Sequence, residues 1–216
     1  MDPIYLLKRL IVKPLSQLKL KEITLEETKK IIKAMKASNT VGFDRISSKV
    51  LKLSLDLSAV LLTHAINVSI RTSTFPEALK VARVLPILKS NKNALDKMNY
   101  RPILNLHSAE KVLEEYIKKQ LTEYLHINQI IHPNHHGGIR NRSTLTVKSL
   151  IEWQINKGYE NNKTCMILST DLSAAYDTVD HCILLRKMQF YGIVGKELEF
   201  FKSYLSNRTQ FVELDT

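Results

Sequence analysis

Cysteine is nearly missing: Cys165 and Cys182 are the only two in 216 residues, too few for a disulfide framework or a structural zinc site. Both sit in apolar company beside an aspartate-rich stretch, which predicts buried free thiols in a reducing compartment. Glycine and proline are also scarce, six of each, and that excludes collagen-like repeats and long flexible linkers. No apolar run reaches the roughly 20 residues that a membrane span needs. The stretch "MDPIYLLKRLIVKPL" is interrupted by Lys8, Arg9 and Lys13, so it reads as neither signal peptide nor anchor. Together these absences predict an intracellular, non-secreted protein with no membrane partner.

Acidic residues are few relative to basic ones. Thirty-two Lys and Arg stand against 21 Asp and Glu, a formal charge of +11. That excess favours a polyanionic partner, either nucleic acid or an acidic membrane surface. Apolar content of 44% is ordinary for a globular chain able to bury a core.

The periodicities alternate between helix and strand. "ITLEETKKIIKAMKAS" opens a helix in which Thr24 and Glu27 have capping-box spacing, with Ile31, Ile32 and Met35 on one face. "NTVGFDRIS" is a loop with glycine at its turn. Ser47 to Ile70 is helical with one break, and "FPEALKVA" starts a short helix. "ARVLPILKS" and "YRPILNL" read as two extended pieces of one antiparallel hairpin, Pro86 marking an edge or bulge. Ser108 is expected to cap a helix whose face is Val112, Leu113, Tyr116, Ile117, Leu121 and Leu125. A loop rich in His, Gly and Arg follows, then a helix from about Thr144 to Lys157. His126, His132, His135 and His136 fit an exposed loop better than zinc, because no cysteine or carboxylate stands at ligand spacing. "KTCMILSTDL" is a continuous apolar run, read as a central strand. Two further helices, "HCILLRKMQFYG" and "KELEFFKSYLS", precede "RTQFVELDT", the start of another strand.

Asp171 ends that apolar run, a place where α/β and α+β enzymes put a metal-binding carboxylate. Magnesium takes hard oxygen ligands and keeps waters and substrate phosphates, so Asp171 and the Leu172 carbonyl would furnish part of a site. Tyr176, five residues on, would stand beside a bound sugar. The same residues also read as a helix cap and a core aromatic, with Asp177 and Asp180 as helix-start carboxylates.

Six blocks in order carry more: "GFDRIS", "ARVLPILKSNKN", "NYRPILNLHSAEKVLEEYI", "HHGGIRNRST", "STDLSAAYDTVDHCILLRKM" and "SYLSNRTQFV". This series resembles the reverse transcriptases of non-LTR retrotransposons, from about Ile23 to Val212. The resemblance implies an α+β fold: right-hand polymerase fingers with a partial palm, helix-rich, with a short fingers hairpin and an incomplete antiparallel palm sheet. It implies an amino-terminal lead-in over 1–22, a fingers-like region over 23–160 and a partial palm over 161–216.

By the same resemblance, Asp171 matches the first catalytic aspartate and, with Leu172, a magnesium ligand. Tyr176 matches the aromatic under the incoming sugar. Lys89 and Arg101 match hairpin cations that would orient a triphosphate. Arg140 and Arg142 lie in a block that departs from the family at Gly138, Ile139 and Asn141; both are candidates for nucleic-acid phosphates. The implied reaction is transfer of dNTPs to a DNA primer 3′ end on an RNA template, with two Mg2+ ions. A Gln-Gly block and a hairpin with paired aspartates do not follow within these 216 residues. The expectation is therefore a piece of the polymerase that is inactive by itself. The alternative is a catalytically inactive basic RNA-binding remnant.

Overall fold

The computed structural model describes residues 14, 16–90, 93–172 and 175–212; the lead-in's residues 1–13 lie outside them. Helix α1, Leu25–Ala34, starts where the spacing places it. Glu27 N–H donates to Thr24 Oγ1 at 3.3 Å and Thr24 N–H returns to the Glu27 carboxylate at 3.1 Å. That backbone bond from Thr24 is the first cause that holds the Glu27 carboxyl below its ordinary value. Helices α2, Ser48–Leu53, and α3, Leu55–Thr72, meet at Ser54, the one expected break. Between α1 and α2 the loop turns at Gly42, where a Cβ would lie 2.9 Å from the His107 backbone nitrogen. Only a glycine lets the two backbones approach so closely.

After a 3-10 turn at Glu77–Leu79 come strand β1, Val81–Leu88, and strand β2, Tyr100–Asn105. They pair antiparallel, as the sequence predicts, with Ile87 opposite Arg101 and Pro86 opposite Pro102. The two missing N–H groups thus fall on one rung of the ladder. Strand β3, Thr209–Val212, joins the other side of β1, but in parallel. The sheet is mixed, in the order β2-β1-β3, which corrects the expected antiparallel sheet. Among the described residues β3 pairs only with Val81–Val84, so Pro86 has one neighbouring strand, an open edge where proline is tolerated.

Helix α4, Ser108–Ile127, presents the expected face: Val112, Leu113, Tyr116 and Ile117 are all buried. Each such side chain contributes about 1.5–3 kcal/mol of burial. Its cap differs from expectation. His107 holds the N-cap position, and Ser108, already inside the helix, donates its hydroxyl to the Ile46 carbonyl at 3.0 Å. Helices α5, Thr144–Glu160, α6, His181–Phe190, and α7, Lys196–Leu205, follow before β3. Phe75 meets Phe200 and Tyr204 edge-on, with centroids 6.2 and 5.0 Å away. These rings close the core around Leu113 and Ile117.

Residues 16–24 form a strap across this core. Leu18 and Ile23 are buried, and polar side chains clasp the backbone between them. Asn67 makes two hydrogen bonds to Ile23, of 2.8 and 3.0 Å. Tyr116 Oη donates to the Glu22 carbonyl at 2.9 Å, and Glu197 accepts from Leu20 N–H at 3.3 Å.

The segment read as a central strand forms none. Lys163 to Leu172 is irregular and exposed, with Met166 91% and Leu168 87% accessible. An apolar run becomes a buried strand only with neighbours for its ladder and a layer on each face. Among the described residues no strand pairs with it. Both cysteines are exposed rather than buried, because the elements flanking them bury so little. No described helix is long and apolar enough to cross a membrane.

Candidate nucleotide and nucleic-acid site

Lys89 and Arg101 lie at the open end of the β1–β2 hairpin. Lys89 continues β1 with its N–H donating to the Asn99 carbonyl at 2.8 Å, and its ammonium reaches the Met98 carbonyl at 2.8 Å. Arg101 is exposed on β2 opposite Ile87. The two-residue alternation of a strand puts Ile87 and Lys89 on one face, with Arg101 across from Ile87 on that same face. Two cations therefore share one side of the hairpin tip. Among the described residues nothing bonds the Arg101 guanidinium, which stays available.

The loop before α5 treats its two arginines differently. The Arg142 guanidinium donates to the carbonyls of Pro133 and His135, and so staples the loop to itself. Arg140 is exposed and has no partner among the described residues. Asn141 and Gly138 take positive φ, 63° and 68°, a conformation that glycine and asparagine tolerate best. His136 Nδ1 lies 2.8 Å from Thr146 Oγ1. Among the described residues no three His, Cys, Asp or Glu side chains converge on a common metal position.

Asp171, Leu172 and Tyr176 lie together in the exposed stretch before α6, Tyr176 being 94% accessible. Among the described residues nothing bonds the Asp171 carboxylate, and no ion pair joins it to Lys89, Arg101 or Arg140. Asp180 is the N-cap of α6, its carboxylate accepting from Ile183 N–H at 3.0 Å. That fits the helix-start reading of this aspartate. The three groups of candidate residues thus stand on three separate supports: a hairpin tip, a stapled loop and an irregular stretch.

The model of the family described as reverse transcriptase (RNA-dependent DNA polymerase) matches residues 87–215, more than half of the chain. The chain belongs to the reverse transcriptase family. The matched span includes the hairpin tip, the stapled loop and the Asp171 stretch. This reverse transcriptase chain is 29% identical over 205 residues to a protein named "Probable RNA-directed DNA polymerase from transposon BS" of Drosophila melanogaster, covering 91% of the chain and 22% of that protein. It is 28% identical over 200 residues to "RNA-directed DNA polymerase from mobile element jockey" of Drosophila funebris, covering 89% of the chain and 21% of that protein. A "Retrovirus-related Pol polyprotein from type-1 retrotransposable element R2" of Popillia japonica is 28% identical over 116 residues, 54% of the chain and 16% of that protein. These relatives bear out the non-LTR resemblance, and the chain spans about a fifth of the length of the first two.

Members of the family generally use divalent metal ions. A magnesium ion takes six oxygen ligands in octahedral geometry, and a two-ion site needs carboxylates that bridge ions about 4 Å apart. In this reverse transcriptase chain Asp171 and the Leu172 carbonyl stand without a second carboxylate converging on them among the described residues. The described residues do not make a two-ion site.

Sequence reasoning passed over one polar group in the core. Glu110 is fully buried, and its carboxylate accepts from the Arg208 guanidinium. Arg208 also lies over Tyr204 and Phe75, 4.9 and 5.7 Å from the ring centroids. Tyr204 Oη donates to Glu114 Oε1 at 2.6 Å. Burial, ahead of that bond, pushes the Tyr204 phenol well up. Burial is also the leading cause that raises the Glu110 carboxyl, against the opposing pull of Arg208. The signal was present: Glu110 stands three and seven residues before Leu113 and Ile117, on the helix face that the apolar residues define.

Proposed function

We propose that this chain is part of an RNA-directed DNA polymerase of a retrotransposable element, with residues 23–160 as a fingers-like region, 161–216 as the start of a palm, and 1–22 as a lead-in. The whole polymerase would add dNTPs to a DNA primer 3′ end on an RNA template. The observation that carries this reading is the pair of cations on one face of the hairpin tip, inside the span that matches the family. A triphosphate needs positive charge on the side away from its reacting phosphorus, and Arg101 offers a fork for two phosphate oxygens where Lys89 offers a point charge.

In that protein Asp171, with the Leu172 carbonyl, would be one ligand of a magnesium site completed by other carboxylates, and Tyr176 would lie against the incoming sugar. Arg140, exposed and without a partner among the described residues, suits a template phosphate. Arg142 suits the role of holding the loop that presents Arg140. Primer extension on a poly(rA) template with an oligo(dT) primer tests the assignment. The element's full-length protein is expected to extend the primer, its Asp171→Asn variant to fail, and the 216-residue chain to give no product. Extension by 1–216 that vanishes in Asp171→Asn would refute the need for further carboxylates.

The second reading is a basic RNA-binding module without catalysis. It is favoured by the +11 charge beside an Asp171 that no second carboxylate joins among the described residues. Under it, RNA affinity falls steeply with salt, by about a thousandfold between roughly 50 and 200 mM when six or more phosphates are contacted. Affinity that is flat over this range would exclude it.

A further inference from the structure

The groove between α1 and α4 is used by none of the polymerase assignments. Ile31, Ala34 and Met35 from α1 and its end give it an apolar floor, and it encloses about 600 Å³. One side is built rigidly. The Ser48 hydroxyl, buried, donates to the Lys36 carbonyl at 2.9 Å and accepts from Ser38 N–H at 3.0 Å, pinning the 36–38 loop against α2.

Its rim is charged with one sign. Lys30, Lys36, Lys111 and Lys119 surround the floor against a single carboxylate, Glu115. Glu115 is already met by Lys118 at 3.3 Å, outside the groove, and Lys119 reaches Glu27 at 3.6 Å. Lys30, Lys36 and Lys111 have no ion-pair partner among the described residues. On the opposite side of the same helix Lys29 pairs with Asp56 at 2.8 Å. Three unpaired lysines, Lys30 of α1, Lys36 of the loop after it and Lys111 of α4, thus stand around an apolar trough.

We propose that this groove docks an acidic peptide segment of a partner protein, one that inserts aliphatic side chains between α1 and α4 while its carboxylates meet Lys30, Lys36 and Lys111. The floor decides between a peptide and RNA. Single-stranded RNA is held by aromatic platforms that stack its bases and by arginine forks on its phosphates, and neither residue type lines this groove. An amphipathic segment buries apolar side chains against Ile31, Ala34 and Met35, and the unbranched Met35 adapts to their shape. The lysines then set which segments are attracted and how quickly they arrive. Docking here needs neither nucleotide nor metal, so it is independent of the polymerase reading.

The test is fluorescence anisotropy with a fluorescein-labelled peptide of about 14 residues, leucine at every third or fourth position and glutamate between. The peptide is titrated with the 216-residue chain at about 0.1 M salt, where exposed charges beyond the Debye length are screened. Saturable binding is expected. It should weaken by about tenfold or more in Lys30→Glu/Lys111→Glu, and equally when serine replaces the leucines. A Lys148→Glu/Lys163→Glu chain carries the same charge change on α5 and beyond it, and should bind as the parent does. Circular dichroism melts confirm that the charge variants keep the fold. The proposal is overturned if the peptide fails to bind, if the serine peptide binds as tightly, or if the α5 variant loses as much affinity. It is overturned equally if an oligouridylate of similar length, and not the peptide, loses affinity in Lys30→Glu/Lys111→Glu, which would assign the groove to nucleic acid.

Discussion

Replacing Arg208 by methionine keeps most of the side-chain volume and removes the guanidinium that bonds the Glu110 carboxylate, leaving among the described residues the His107 imidazole, 3.8 Å away, as its nearest basic group. Glu110 has no exposure, while Arg208 keeps 26% of its side chain accessible. Removing one partner of a buried ion pair costs about 3–5 kcal/mol, because the other charge is left unpaired. The partial exposure of Arg208 lets water approach from the rim, which places the loss near the lower end, about 3 kcal/mol. In a domain of this size that lowers Tm by about 6–12 °C. The loss also depends on pH. Burial already holds the Glu110 carboxyl above its ordinary 4.5 and Arg208 opposes it, so the variant raises it further. A carboxyl whose folded pKa exceeds its unfolded one contributes stability that is full below the unfolded value and lost as pH rises through the folded value. The cost of Arg208→Met is therefore smaller at about pH 5 than at about pH 7.5. Urea unfolding followed by far-ultraviolet circular dichroism at both pH values measures it, and adding Glu110→Leu should recover most of the loss. A cost under about 1 kcal/mol at the higher pH, or the same cost at both, would refute the reasoning.

Three other variants probe separate features. Gly192→Ala should destabilise by about 2 kcal/mol or more, since φ is +80° and the new Cβ would stand 2.4 Å from Tyr124 Oη and 2.9 Å from the Ser16 carbonyl; a melt matching the parent contradicts this. Thr24→Ala removes the α1 cap and should cost about 1 kcal/mol, read as a shifted urea midpoint with an unchanged slope. Asp171→Asn should leave the midpoint of the 216-residue chain within about 0.5 kcal/mol of the parent, because the carboxylate is exposed and bonds none of the described residues. A large loss there would give Asp171 a structural part to play.

The helices were legible because each carries its own signals. Thr24 and Glu27 mark a start through bonds only three residues apart, and the α4 face repeats at helical spacing. The hairpin was legible because its two strands are close in sequence and flank a polar loop. What stayed hidden depends on distant residues. The parallel pairing of β3 with β1 joins Val81 to Thr209, a contact that no local pattern encodes. The apolar run up to Asp171 looks like a strand because hydrophobicity is local, yet strand formation is a property of neighbours. Ser108 has the right chemistry for a cap, but the Ile46 carbonyl, 62 residues away, engages its hydroxyl and the helix begins one residue earlier. At the candidate site, charge and order were readable. That Arg142 turns inward while Arg140 stays free was not, since it depends on the path of the loop.

The strap sets a timetable for synthesis. Its clasps at Ile23 and Glu22 come from Asn67 and Tyr116, but those at Leu18 and Leu20 come from Gly192 and Glu197. A ribosome makes Leu20 177 residues before its partner Glu197, and Leu18 similarly long before Gly192. This part of the core thus has to wait, with apolar side chains uncovered, until α7 has emerged. Closing contacts across so much chain is slow, and an uncovered apolar segment is open to chaperones and to aggregation meanwhile. A variant that weakens the late clasps would lower the yield of folded protein made in cells more than its equilibrium stability suggests.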